Sequence, residues 1–210
     1  MARRFKVHAT RYVQEHAKLY IYTIVLIFVG IIFGAIVVNA LAQDQKVELY
    51  NQLHGFITAV NDNQLANSTI VTWDSIAKNL KMVGLIWILG LSIIGLPLIV
   101  VLIFFKGFMI GFTVGFLVEQ FSGKGLLFAI LAVFPQNLIA VPALIVAGVA
   151  GIAFSLMLVR SRFSQRNLPI YHSFLTYSGL MLVVAVVLTI SSFIEGYISP
   201  ILMKLVTPYL

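Results

Sequence analysis

Long apolar runs broken by short polar segments set the pattern of this chain. Residues 20–42 form the first run, and at roughly 1.5 Å per residue a helix of that length crosses about 30 Å of hydrocarbon. Residues 82–121 hold enough apolar sequence for two further spans, 137–159 for a fourth and 173–194 for a fifth. Ahead of them, residues 3–20 put Phe5, Ala9, Tyr12, Val13, Ala17 and Tyr20 on one helical face, with Arg3, Arg4, Lys6, Arg11 and Lys18 mostly elsewhere. That is the pattern of a basic helix lying at an interface. The sizeable polar segment is 43–80, where Leu49, Leu53, Phe56, Ile57 and Val60 keep helical spacing. NDNQLANST then predicts a turn, and Trp73, Ile76 and Leu80 a second helix leading into the next span.

The expectation is an all-α integral membrane protein, a polytopic bundle of about five transmembrane helices. Residues 1–19 form its basic amphipathic helix, 20–42 the first span and 43–80 a helical hairpin. Residues 81–198 make the membrane bundle, with a loop at 160–172, and 199–210 a tail. Two stretches admit more than one course. The chain turns either at Lys106, the preferred reading, or at Gly95-Leu96-Pro97, which puts Lys106 near the midplane. The apolar run 125–134 is too short to span, so it is an elbow, a re-entrant half-helix or an extension of the preceding helix, ended by Pro135. Ala40-Leu41-Ala42 mimics a signal-peptidase site, but the apolar run before it exceeds a signal h-region, so 20–42 is read as a retained anchor.

Within the apolar runs, small residues recur at every fourth position. Gly107, Gly111 and Gly115 form one row, Gly30 and Gly34 a second, and Ala143, Ala147 and Gly151 a third. In lipid no hydrophobic force draws helices together, so contact comes from backbones that approach closely, and such rows mark the faces where they do. The third row is expected to receive the first. Lys106, Glu119, Gln136 and Asn137 are the polar candidates in or near the membrane, where a polar side chain is a functional candidate by default.

Composition agrees with the pattern: 60% of residues are hydrophobic and only 10% charged. The net charge of +7 flanks apolar spans, where it orients helices and does not point to nucleic acid. Basic clusters at 3–18 and at Arg160, Arg162 and Arg166 predict a cytoplasmic N-terminus, and five crossings then leave the C-terminus extracytoplasmic. The segment 43–80 lacks a basic excess and is placed outside. Asn67-Ser68-Thr69 is a formal glycosylation sequon without supporting context. Without cysteine there is no thiolate chemistry. His8, His16, His54 and His172 form no metal-ligand spacing, and neither a phosphate loop nor a nucleophile elbow is present. The chain reads as a non-enzyme with no catalytic, metal or cofactor-binding residue.

Three segments in order, GLIWILGLSIIGLPLIV, FKGFMIGFTVGFLV and FPQNLIAVPALIVAGVAGIAFS, resemble the bacterial stage II sporulation protein M family, and the likeness covers nearly the whole chain. The resemblance implies a multi-pass protein of endospore formers, at the mother-cell septal membrane during engulfment. It further implies a non-catalytic scaffold that gathers two peptidoglycan-degrading partners, stage II sporulation proteins D and P. The lipid bilayer is the other partner, and a homo-oligomer is left open. The rival reading is a small permease or channel-forming subunit built on Lys106, Glu119, Gln136 and Asn137.

Overall fold

The computed structural model describes residues 14–61, 68–163 and 170–206, and its long elements are all helical. Helix α1 is Ala17–Asn39, α2 Gln43–Asn61, α3 Ser68–Gly90 and α4 Gly95–Ala132. Helix α5 is Phe134–Phe163 and α6 Ile170–Phe193. A five-residue π-helical turn, Ile194–Ile198, continues α6 into α7, Ser199–Val206. The basic segment 3–13, most of the NDNQLANST turn and the loop 164–169 lie outside the described residues.

Four of these helices are long and apolar enough to cross a bilayer: Ala17–Asn39, Gly95–Ala132, Phe134–Ser161 and α6 with its extension, Ile170–Lys204. Their outward faces carry bare hydrocarbon, such as Phe28 and Ile32 on α1, Val101 and Met109 on α4, and Leu182 and Val186 on α6. The core lies between α3, α4, α5 and α6, where Ile86, Ile99, Ile103, Leu144, Ala147 and Leu188 are almost fully buried.

Helix α1 seats on the outer side of α4 through glycine. A Cβ added to Gly107 would meet the backbone of Ile27, one on Gly111 that of Ile31, and one on Gly115 that of Ala35. From the other side, Gly30 and Gly34 lie against the backbone of Phe104 and Phe108. No side chain fits between the two helices along this seam. Because 27, 31 and 35 match 107, 111 and 115 in ascending order, α1 and α4 run parallel. Other contacts descend instead. Gly148 meets Ile103 and Gly151 meets Ile99, so α5 opposes α4. The Phe154 ring stacks on Tyr177 at 4.9 Å and Ser191 reaches the Gln136 carbonyl, so α6 opposes α5. Ile86 meets Tyr177 and Asn79 meets Ser192, so α3 opposes α6. Helices α1, α4 and α6 therefore point one way, α3 and α5 the other.

Two sequence expectations are corrected, and the open course of the run after Glu119 is decided. There is no turn at Lys106: the chain reverses at residues 91–94 and α4 runs unbroken through Lys106. Pro97 falls in the first turn of α4, where its missing N–H has no intrahelical partner to lose, and the Ser92 carbonyl accepts from Gly95 N and Ser155 Oγ to close the bend. Gly107 could not have served as a loop residue, since it is one of the positions pressed against α1. The row Ala143, Ala147 and Gly151 does not receive the α4 glycines; Gly151 faces the side chains of Ile86 and Ile99, and α1 takes the glycine seam. The apolar run after Glu119 is an arm, residues 123–132, reached through a kink at Ser122 whose φ of 53° and ψ of −131° no ordinary helical residue adopts. The arm folds back so closely that a Cβ on Gly125 would strike the Leu117 carbonyl.

Candidate functional site

At one end of the bundle three short elements knit together: α2, the arm and α7. Their shared core is separate from the main one and holds Leu117, Phe128, Ala129 and Ala132, with Leu53 from α2 and Met203 from α7 packed against it. The sequence of α2 explains its pose. Lys46, Leu49 and Leu53, spaced i, i+3 and i+7, are half-buried, whereas Gln43, Asp44, Glu48, Asn51, Gln52 and His54 are exposed. Lys46 Nζ donates to Glu119 Oε1 at 2.6 Å, which ties the start of α2 to the end of the α4 span. The result is a platform across the bundle end, while Arg160 sits at the far end of α5.

Beside the platform, α3 is fastened to α6 by a ladder of polar contacts. Ser75 Oγ donates to Glu195 Oε2 and Asn79 Nδ2 to Ser192 Oγ at 2.9 Å. Gly196 lies so near Thr72 that a Cβ there would strike the hydroxyl. Further along, Tyr177 OH donates to the Ile86 carbonyl at 2.9 Å and Trp87 Nε1 to Ser178 Oγ at 3.0 Å. The π turn carries Glu195 and Gly196 within the ladder, and such turns widen a helix by one residue at sites with a special requirement.

The four polar candidates do not form one site. Glu119 is held by Lys46, on α4 about 20 Å along the axis from Lys106 at 1.5 Å per residue. Lys106 is half-buried in mid-helix. Gln136 and Asn137 open α5. The Gln136 carbonyl accepts from Ser191 Oγ at 2.7 Å, and Asn137 Nδ2 caps the Val133 carbonyl at 2.7 Å. Gln136 Oε1 and Asn137 Oδ1 are buried without hydrogen-bond partners, as is Ser199 Oγ. No three His, Asp or Glu side chains gather among the described residues.

Sequence reading passed over Glu195 and the α3 ladder. The signal was present: Ser68, Thr72, Ser75 and Asn79 follow i, i+4, i+7 and i+11, and Ser192, Glu195 and Ser199 follow i, i+3 and i+7. Two small-polar stripes of that kind are the interhelical hydrogen-bonding counterpart of the glycine seam. What this end of the molecule offers chemically is contact surface and hydrogen bonding. No curated protein and no solved structure matches the chain. The family model described as stage II sporulation protein M matches residues 23–200, which takes in most of each span together with α2 and the arm, and the chain belongs to that family of sporulation membrane proteins.

Proposed function

We propose that the protein is a non-catalytic scaffold in the mother-cell septal membrane, holding peptidoglycan-degrading partners in place during engulfment, with stage II sporulation proteins D and P as those partners. The observation that carries this reading is the platform. Helix α2, the arm and α7 share a core of their own, and outward they turn Asp44, Glu48, Asn51 and Gln52 on α2 and Leu126, Leu127 and Ile130 on the arm, a construction suited to presenting surface. In this proposal the chain crosses five times, with the N-terminus cytoplasmic and the platform and C-terminus facing the cell wall. Support comes from the parallel course of α1 and α4, since a chain that crosses twice in one direction has to return between them, and α3 is the element available. Exposed Arg160, at the opposite end from the platform, agrees with the positive-inside preference.

The permease reading lacks comparable support. A path needs polar groups in sequence, whereas Lys106 and Glu119 stand far apart on one helix and Glu119 is occupied by Lys46. The test is coexpression with the two hydrolases. Deleting residues 54–67 should release both from the membrane complex while the remaining protein stays abundant in the membrane, because that segment takes neither Leu53 nor any part of α3 with it. Retention of both hydrolases by the deleted form would refute the scaffold reading.

A further inference from the structure

The arm is apolar on both sides. Toward the protein it turns Gly125, Phe128, Ala129 and Ala132, and away from it Leu126, Leu127 and Ile130, 47%, 50% and 46% exposed. A helix that is hydrophobic all round belongs inside something, and its own bundle covers one side only. Contacts with α4 fix the depth at which the arm lies. Its start is level with Leu117, whose carbonyl a Cβ on Gly125 would strike. Its far end returns to the same level: Gly148 on α5 faces Ile103 on the opposed α4, so, counting back along α5 and forward along α4, Phe134 stands beside Leu117. The arm therefore runs across the bundle end and not along the spans. The stretch from Gly95 to Leu117 is about 33 Å long at 1.5 Å per residue, against about 30 Å of hydrocarbon, so the arm lies at the platform-side edge of the apolar layer. The ion pair of Lys46 with Glu119 stands just beyond that edge. At the same level Val118 on α4 and Phe134 on α5 still turn outward. Leu127, Ile130, Phe134 and Leu138, at i, i+3, i+7 and i+11, carry one exposed apolar row from the arm onto the lipid-facing side of α5.

We propose that the arm is an interfacial helix whose outward face, Leu126, Leu127 and Ile130, is buried among the acyl chains of the platform-side leaflet, with Lys124 at its start reaching the lipid phosphates. Such helices lie in the plane of the membrane with their apolar side about 5 to 10 Å into the boundary of headgroups and acyl chains, the position that the arm's depth requires. Lys124 is exposed one turn ahead of Leu127, and its hydrocarbon stem follows the leucines while the ammonium stays among the headgroups. A protein partner or a second copy suits this face less well. Three side chains fall far short of the about 20 to 30 residues a side that a stable interface takes, and the row they begin continues onto a span that faces lipid. The consequence is a platform seated in the leaflet. Lipid holds the arm, the core of Leu53, Phe128 and Met203 holds α2 and α7 to it, and the polar face of α2 is the surface left for a partner. This inference rests on the spans and not on the scaffold reading.

The test places single nitroxide labels on the full-length protein in phospholipid nanodiscs, which a chain without native cysteine permits. Labels at Leu127→Cys and Ile130→Cys should be relaxed by oxygen in preference to a water-soluble nickel chelate and report a depth of about 5 to 10 Å below the phosphates. A label at Lys124→Cys should sit at the phosphates. Two positions calibrate the scale: Asn51→Cys, exposed on α2, should favour the nickel chelate, and Met109→Cys, exposed on α4, should read about 12 Å below the level of Leu117. Nickel access at positions 127 and 130 equal to that at 51 would place the arm in water and overturn the proposal. So would exclusion of both reagents, which marks a protein cover, with dipolar broadening between labels identifying it as a second copy. A depth equal to that of Met109→Cys would overturn it too, by making the arm part of a span. Positions 127 and 130 are read separately, so a variant that fails to fold leaves the other to decide. Hydrolase retention is scored on residues 54–67, so loss of the leaflet contact and loss of the scaffold reading are distinct results.

Discussion

At Gly111 a single hydrogen atom separates a fitted seam from a clash. The Ile31 carbonyl occupies the space a Cβ would need, and that carbonyl belongs to a helical backbone that cannot swing aside as a side chain would. Gly111→Leu should therefore lower the stability of the purified protein by at least about 1 to 3 kcal/mol, the range for overpacked interiors, read as an earlier thermal transition in detergent. Gly55 supplies the control within the same chain. It is an exposed helical glycine with nothing within 4 Å of a would-be Cβ, so Gly55→Ala should stabilise by about 0.5 to 1 kcal/mol through helix propensity alone. If both substitutions shifted the transition alike, the seam would not be the closest-packed contact of the bundle. Asn79 makes a different kind of contact. Its amide reaches Ser192 from another helix, and Asn79→Leu, which leaves that hydroxyl without its donor, should cost about 0.5 to 2 kcal/mol. A double-mutant cycle with Ser192→Ala should recover most of the loss as coupling, whereas an additive outcome would mean that the two side chains do not depend on each other.

Helices α2 and α3 show what spacing reveals about an element and what it leaves open. Every-fourth glycine marks a face of α4 that some backbone must meet, but a row fixes only a direction around its own axis. Which helix fills that direction depends on where the chain reverses, and that is set by Ser92, Pro97 and Ser155, residues far apart in sequence. Hydropathy alone made Lys106 an attractive turn because a lysine inside a span is expensive; it carried no information that Gly107, the next residue, is pressed against the backbone of Ile27 on another helix. The stripes on α3 and at the end of α6 were readable as periodicities, yet each hydroxyl taken singly looks like an ordinary tolerated polar group. Only the pairing of two stripes distinguishes a ladder from chance. The same reasoning limits what Glu119 does. Its bond to Lys46 joins two partly exposed side chains, an arrangement worth about 0 to 1 kcal/mol, so Glu119→Gln should leave folding and sporulation largely intact and loosen α2 locally. Faster hydrogen exchange confined to α2 would be the signature; a stable but inactive Glu119→Gln variant would point instead to a working charge and restore the permease reading.

Direction decides what the bundle does at the scale of the whole molecule, because the platform serves a cell-wall role only if it faces the wall. Helices α2 and α7 share the core of Leu53, Phe128 and Met203, so Thr58 on α2 and α7 itself belong to one end. In the proposed course, five crossings keep both on the outside. A chain in which α3 dips and returns without crossing would put α2 and α7 on opposite sides of the membrane, which their common core forbids. The absence of native cysteine allows this to be read with single probes. Thr58→Cys, at an exposed position, should react with an impermeant maleimide on intact cells, whereas Tyr171→Cys, 76% exposed in the first turn of α6, should react only after lysis. Alkaline phosphatase fused at Leu210 should be active if, as proposed, Arg160 and its neighbours lie inside. A labelled Thr58→Cys beside an inactive fusion at Leu210 would separate two elements that pack against each other, and neither the five-span course nor the platform would survive it.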